Sequence, residues 1–474
     1  EICLSDWSSD VCSSDLSTGL IFKRIPKLIG SFHTPDRRTR QLNKVIKFVI
    51  GIICSPLLSW KAPEAVPGRF VKARLTGKEV RPFGVEELYG KSNVEIATPA
   101  NDDELIAIVE KAKGEGKQIA ILGAGMSQGT QTVPTGTNHI LIDMRCFNSR
   151  ELQLGDSSVI VGAGATWEEV QTYLDGHGKS VLVKQASNPF SIGGSIGINC
   201  HGWAHDYGAI ASTFESLDIL TASGGIQTVY PGDRRFGAMF GTLGYFGIVV
   251  RARLKVVDNY KVVQRADRVQ IDQFAAYYER NIKGNPHIPL CGGRLSLDSL
   301  DGLPLQEIQL VRYQIVEGGE VGPTPNFSRE APQGSMVQRL GLRFFAHLSN
   351  FSVKYLTHWF WKKEKAAMYE RIEMTRNEAL HPPINSFFSL HDSLLQGQWL
   401  QEYFITGEEL PNFLRFLGKT LYKNDVRLIN ATIRPTPKDD ISILPYAEKD
   451  RYAVVICFAQ EKSNRQIAKT KAWI

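Results

Sequence analysis

Residues 185–202, QASNPFSIGGSIGINCHG, constrain this 474-residue chain more than any other stretch. Gly193, Gly194, Gly197 and Gly202 lie close together with only Ile192, Ile196 and Ile198 to bury, so neither a good helix nor a regular strand is expected there. Such a run reads as backbone laid against something flat. The plainer account is a glycine-rich surface loop, since glycine clusters mostly punctuate a chain.

The length and the 43% hydrophobic content predict two domains with sizeable cores. A net charge of +6 is mild, and no Lys/Arg stripe interleaved with aromatics marks a nucleic-acid partner. It leaves room for anionic ligands or a membrane surface. Seven scattered cysteines (Cys3, Cys12, Cys54, Cys146, Cys200, Cys291 and Cys457) show no C-x-x-C and no zinc spacing, which implies no metal, reduced thiols and a cytoplasmic setting.

The amino-terminal segment, 1–84, has three parts. Residues 1–17 lack any periodicity and are set aside from fold reasoning as a candidate cloning or sequence-assembly artefact. Residues 23–47 are basic. They lead into FVIGIICSPLLSW, residues 48–60, which at 13 residues falls short of the roughly 20 that span a bilayer. A signal-peptide core, an interfacial anchor and a packed terminal helix all fit, and a membrane-surface or packing helix fits best, giving a protein peripheral to the membrane.

From Val94 the pattern becomes regular: a strand, a helix with Leu105, Ile106, Ile108, Val109 and Ala112 at helical spacing, and a strand Gln118–Leu122 opening into GAGMSQG. A nicotinamide Rossmann site is disfavoured, because Gln128 stands where the third glycine belongs and TQTVPTGTN carries no amphipathic helix. The loop can still offer backbone N–H groups to a phosphate. Further on, Val159–Ala163 is a strand, EEVQTYLDGHG a helix, SLDILTAS and IQTVYP a hairpin, and RRFGAMFGTLGYFGIVVRARLKVV a short helix, a glycine turn and a strand.

The ordered series GAGMSQG, LIDM, VGAGATW, SIGGSIGINCHG, SLDILTASGG and GTLGYFGIVV resembles the FAD-binding domain of the vanillyl-alcohol oxidase / para-cresol methylhydroxylase superfamily, over roughly residues 85–258. The nearest branch is that of aldonolactone and alditol oxidases and decaprenylphosphoryl-ribose oxidase. The resemblance implies an α+β fold: a PCMH-type FAD-binding domain of two β-subdomains with flanking helices, then an α+β substrate-binding domain with an antiparallel sheet, 259–474. It implies Gly123, Ala124, Gly125, Met126, Ser127 and Gln128 around the pyrophosphate. Ser191, Gly193, Gly194, Ile198, Asn199, Cys200, His201 and Gly202 follow along the flavin and ribityl chain, with Ile248 and Val249 toward the adenine or ribose. Relatives with covalent flavin carry histidine where this chain has Met126, so FAD is expected to be non-covalent unless Cys200 or His201 supplies a bond. Cys200 otherwise reads as inert and buried, and His201 as either a structural histidine or a donor to the reduced flavin.

In the second domain, Asp272–Asn281 is expected as a helix, PLCGGRLSLDS and LQEIQLVRYQI as strands, and 317–335 as a cover over the site or a disordered loop. Residues 337–361 are aromatic with interspersed basic residues: a core helix pair, or a surface that meets lipid. The strand LINATIRPT places Asn430, Thr432 and Arg434 on one face. Alditol-oxidase relatives carry a Glu-x-Arg pair there that holds substrate; here Thr432 replaces the acid while Arg434 remains, free to bind a carboxylate, a lactone oxygen or a phosphate. Tyr403 is the second candidate for substrate positioning, and Gln460 lies on a neighbouring strand. Relatives also supply a catalytic lysine beyond the point where this chain ends, so a truncation is expected and the base stays unnamed.

The expected activity is hydride transfer from a CH–OH donor (a sugar lactone, polyol or lipid-linked sugar) to flavin N5, with oxygen or another electron acceptor. The alternatives are a flavin-dependent reductase of a sterol-like or isoprenoid double bond, and a flavin-binding protein without catalysis.

Overall fold

The computed structural model describes residues 95–125, 138–147, 152–186, 188–318, 321, 350–380, 396–461 and 463–474. The amino-terminal readings, Met126, Ser127 and Gln128, nearly all of the 317–335 loop, and the 337–349 part of the aromatic run lie outside the described residues.

Two small sheets come first. Strands β1 (Glu95–Ala97), β2 (Gln118–Leu122) and β3 (His139–Asp143) form a parallel sheet of order β1-β3-β2. The helix Asp102–Gly114 connects β1 to β2. Asn101 caps it by accepting from Glu104 N at 3.0 Å, acids fill its first turn, and Lys111 and Lys113 its last, each complementing the helix dipole. Leu105, Val109 and Ala112 are its buried stripe, as their spacing predicts.

The second sheet is antiparallel, with β4 (Leu152–Leu154), β5 (Ser158–Gly162), β9 (Ile248–Asp258), β7 (Phe214–Leu220) and β8 (Ile226–Val229) in that order, and β6 (Lys179–Val181) pairing the end of β9. The hairpin expected from SLDILTAS and IQTVYP is the β7–β8 pair. The helix Trp167–Asp175 begins with a capping box formed by Thr166 and Glu169.

After Asp258 the chain leaves this sheet, and β10 (Lys261–Gln270) belongs to a seven-stranded sheet. Its other strands are β11 (Leu290–Leu295), β12 (Glu307–Ile315), β13 (Glu373–Thr375), β14 (Gln396–Ile405), β15 (Arg427–Thr436) and β16 (Arg451–Glu461), in the order β13-β10-β12-β11-β15-β16-β14. Every pair in it is antiparallel. The helix expected at Asp272–Asn281 spans Phe274–Asn281, and the one expected near Gly407 starts at Leu410. The latter runs to Lys423, and the helix Asn350–Met368 occupies the described part of the aromatic run. Among the described residues no helix is long and apolar enough to cross a membrane.

Alternation along the strands decides what each face of this sheet does. Tyr403 packs on Phe413 of the helix Leu410–Lys423 with ring centroids 5.1 Å apart, and Tyr452 packs on Phe274 at 5.7 Å. That face is closed by helices. The other face carries Glu402, Phe404, Thr432 and Arg434 and meets the glycine-rich run.

Candidate functional site

The glycine run is a correction to the sequence reading: Ile192–Ile198 is a short helix. Ser191 caps it, accepting from Gly194 N at 3.3 Å, and Asn199 ends it in the left-handed region at φ 49°. Ile192 and Ile196, four residues apart, are fully buried, which offsets the conformational cost of the glycines by roughly 1.5–3 kcal/mol each. The glycines are there for contact. A Cβ at Gly193 would meet Ala163 at 3.2 Å, and one at Gly202 would sit 2.0 Å from the Lys184 carbonyl oxygen.

Ser191 also joins this helix to the loop after β2. Its hydroxyl accepts from Ala124 N at 3.2 Å, and a Cβ on Gly123 would lie 2.4 Å from the same oxygen. The two glycine-rich runs singled out in the sequence are therefore packed on one another, with Gly123 and Ala124 against Ser191 and Gly194. Asp143 is occupied elsewhere, accepting from Arg145 N at 3.1 Å and Nε at 2.8 Å. Ile248 and Val249 are buried where β9 begins, opposite Leu220 and Ile219.

Beyond the helix, His201 and Trp203 dock on the seven-stranded sheet, with Gly202 between them. His201 Nε2 lies 2.6 Å from Glu402 Oε1. Gly202 presses on Lys184. The Trp203 indole lies flat on Gly292, where any Cβ would meet its ring at 2.5 Å, and the Arg434 guanidinium stands 5.8 Å from that ring's centroid. Tyr446 completes the enclosure: its ring stacks on Phe404 at 4.3 Å and its hydroxyl donates to Asn199 O at 2.9 Å. Asp439, from the same loop, accepts from the Asn199 side chain at 2.8 Å.

The charges are unevenly satisfied. Burial pushes the Glu402 carboxyl up, but His201 and then Arg434 outweigh it and hold the group below its ordinary value. Burial lowers Arg434, with Glu402 opposing. No protein acceptor takes a hydrogen bond from the Arg434 guanidinium among the described residues, and its Nε is buried without a partner. His201 Nδ1 and Trp203 Nε1 are likewise buried and unpartnered. Such orphans cost about 1–3 kcal/mol each, more for a charged group, and three of them are gathered at this wall. Burial pushes the Cys200 thiol up to about 12, which leaves it protonated and inert.

Arg434, His201 and Cys200 are thus brought together. Tyr403 is not: it follows Glu402 on β14 and so points to the opposite face, against Phe413. Of these two neighbours, Glu402 is the one on the face that meets the glycine-rich run. The signal for Glu402 was available, as a lone acid in the apolar strand LQEYFI. Lys184, Trp203 and Tyr446 carried no comparable signal, because only the packing of distant segments gives them a role.

The arrangement fits FAD. The glycines of the two runs let the loop after β2 and the short helix pack closely, and Ile198, at the end of that helix, and Leu243, against Gly197, are left 46% and 55% exposed for an extended ligand to cover. Polar orphans converge at the far end.

Comparison with known proteins agrees. Residues 95–230 match the FAD binding domain model. The curated relatives belong to the aldonolactone oxidase, alditol oxidase and decaprenylphosphoryl-ribose oxidase branch. D-arabinono-1,4-lactone oxidase of Eremothecium gossypii is 27% identical over 35% of this chain and 32% of its own length. Alditol oxidase of a Streptomyces species is 26% identical over 36% of this chain and 40% of its own length. Decaprenylphosphoryl-beta-D-ribose oxidase of Mycolicibacterium smegmatis is 28% identical over 39% of this chain and 42% of its own length. The chain thus spans less than half the length of these relatives. Cholesterol oxidase from B. sterolicum shares the fold, with a TM-score of 0.54 over 80% of this chain and 78% of that one at 12% identity.

Proposed function

We propose that the chain is an FAD-dependent oxidoreductase that oxidises a CH–OH group, and that the His201–Glu402 pair is its base. One observation carries this: the 2.6 Å bond between His201 Nε2 and Glu402 Oε1 beside an Arg434 whose Nε is buried with no partner among the described residues. With Glu402 ionised, Nε2 carries the hydrogen and Nδ1 is left as a buried acceptor. It takes the hydroxyl proton of the substrate while the carboxylate supports the imidazolium that results. Arg434 holds a substrate oxygen or anionic group. When bound, FAD supplies the hydride acceptor at N5. FAD is held without a covalent bond, since Met126 stands where relatives carry the linking histidine and burial keeps the Cys200 thiol protonated.

The substrate class is a sugar lactone, polyol or lipid-linked sugar, and a lipid surface is favoured by two helices. Asn350–Met368 exposes Tyr355 and Trp359, and Leu410–Lys423 exposes Phe416 and Tyr422. Lys362, Lys363, Lys419 and Lys423 are exposed among them. The helices meet where Lys354 lies 5.3 Å over the Tyr422 ring. Aromatic side chains set among lysines suit the interface of an anionic bilayer, which would keep the protein at the cytoplasmic membrane face.

The test is anaerobic titration of the FAD-loaded protein with sugar lactones, polyols and lipid-linked sugars. Bleaching of the flavin absorbance by one of them is expected, with the flavin released on acid precipitation. Protein that stays colourless after incubation with FAD would overturn the reading. Bound flavin that no such donor bleaches would favour the non-catalytic alternative.

A further inference from the structure

Lys184 is 1% exposed, yet both acceptors of its ammonium are neutral. Its ammonium donates to Gln185 O at 2.9 Å and Asn188 Oδ1 at 2.6 Å, and no carboxylate pairs with it among the described residues. Its carbonyl presses on Gly202, so the residue lies directly behind the His201–Gly202 backbone. The groups facing it are Cys200 from the end of the glycine helix and Arg434 from β15, with His201–Glu402 beyond. Cys200 stays protonated and Arg434 carries the same sign as the ammonium, so nothing adjacent neutralises it. A buried cation without a counter-ion costs several kcal/mol, whereas methionine would fill the same space at no such cost.

We infer that Lys184 is the counter-charge for the reduced cofactor: an ammonium behind the flavin-facing wall that offsets the negative charge the ring system gains on reduction. The inference rests on the FAD reading above. The hydride brings two electrons and its hydrogen to N5, the hydroxyl proton goes to the His201–Glu402 pair, and the ring is left with one added negative charge. Lys184 forms no bond in this step. It acts through the low-dielectric wall and takes its proton from solvent. Burial lowers Lys184 to about 7, with Arg434 adding to the shift, so the reduced ring's charge falls where it can draw a proton onto the amine near neutral pH.

Lys184 is therefore a positioning residue for charge, and its test is the midpoint potential of the FAD-loaded full chain against pH. FAD uptake is measured first by visible absorbance. Wild type is expected to show a break in potential near pH 7. In K184M the break should vanish, and at pH 6 the reduction equilibrium should fall about tenfold, or ~30 mV for a two-electron couple. In N188D, where a carboxylate would face the ammonium, the break should move upward in pH. That second variant decides the matter if K184M does not fold. A K184M flavin that keeps the wild-type potential and slope, or an N188D break that does not move, overturns the inference while leaving the FAD reading intact. Failure of wild type to take up FAD overturns the FAD reading first.

Discussion

Glu402 and Thr432 both stand opposite Val455, one on each side of β16, so their side chains share one row on one face of the sheet. Thr432 stands where the resemblance leads one to expect an acid, and the acid in the same row is Glu402, two strands away, whose Oε1 lies 2.6 Å from His201 Nε2. E402Q is therefore expected to retain FAD and the fold but to reduce its flavin on the order of 10²–10⁴-fold more slowly, the usual worth of a positioned base. Stopped-flow mixing with a donor that bleaches wild type measures this directly. A wild-type rate in E402Q would remove the carboxylate from the proton path.

The same carboxyl has a pH signature. Its folded value lies below the ordinary one, so the stability it contributes is present above the unfolded carboxyl range and is lost as pH falls through the folded value. Urea midpoints measured from pH 6 to pH 3 should fall less steeply for E402Q than for wild type. Parallel curves would mean that His201 does not hold the carboxyl down.

Arg434 tests the separation of binding from stability. Among the described residues its guanidinium has no protein acceptor and its buried Nε no partner, so R434M should retain flavin, change stability by less than about 1 kcal/mol and raise KM on the order of 10–100-fold. Lysine at this position should restore only part of the loss, since it lacks the planar fork and the contact with Trp203. A variant with unchanged KM and a stability loss above about 2 kcal/mol would make Arg434 an ordinary ion at a domain edge.

Periodicity made most of the fold legible. The stripe Leu105, Val109, Ala112 and the alternation in LINATIRPT each express a local rule that tertiary contacts do not override. The glycine run was misread because its helix draws little from propensity. Ser191 caps it, Ala163 and Leu243 pack on Gly193 and Gly197, and only those distant segments make a seven-residue helix stable. The site divides the same way. His201 and Arg434 sit in motifs a reader can find, whereas Lys184 and Trp203 act through contacts with Gly202 and Gly292 that no spacing in the chain announces.

Arg376 latches the two halves of the molecule. It is 2% exposed and donates to Ser180 Oγ at 2.7 Å, Val181 O at 2.6 Å, Leu182 O at 2.8 Å and Tyr260 OH at 3.2 Å. R376M would strand two buried carbonyls, and a loss of about 3–5 kcal/mol in urea unfolding is expected. A loss below about 1 kcal/mol would show that water replaces the guanidinium.

The lipid-facing reading predicts binding to vesicles containing phosphatidylserine, weakening as salt rises, and little to vesicles of phosphatidylcholine alone. Replacing Trp359 and Phe416 by serine should reduce co-sedimentation on the order of tenfold without altering flavin content, since both side chains are more than half exposed. Equal binding by the double variant would clear these two helices of the role.

Lys184 also gives the stability curve a slope of known sign. Its folded value, about 7, lies below the ordinary 10.5, so between these the unfolded chain binds a proton that the native chain does not. Stability then rises with pH across that window, and below it the full desolvation penalty is present. K184M removes the amine and with it the slope. Its stability relative to wild type should therefore be greatest at pH 6 and shrink by several kcal/mol toward pH 10. Urea unfolding of the cofactor-free full chain at the two pH values provides the comparison, and a difference that stays constant with pH would place the folded Lys184 near its ordinary value.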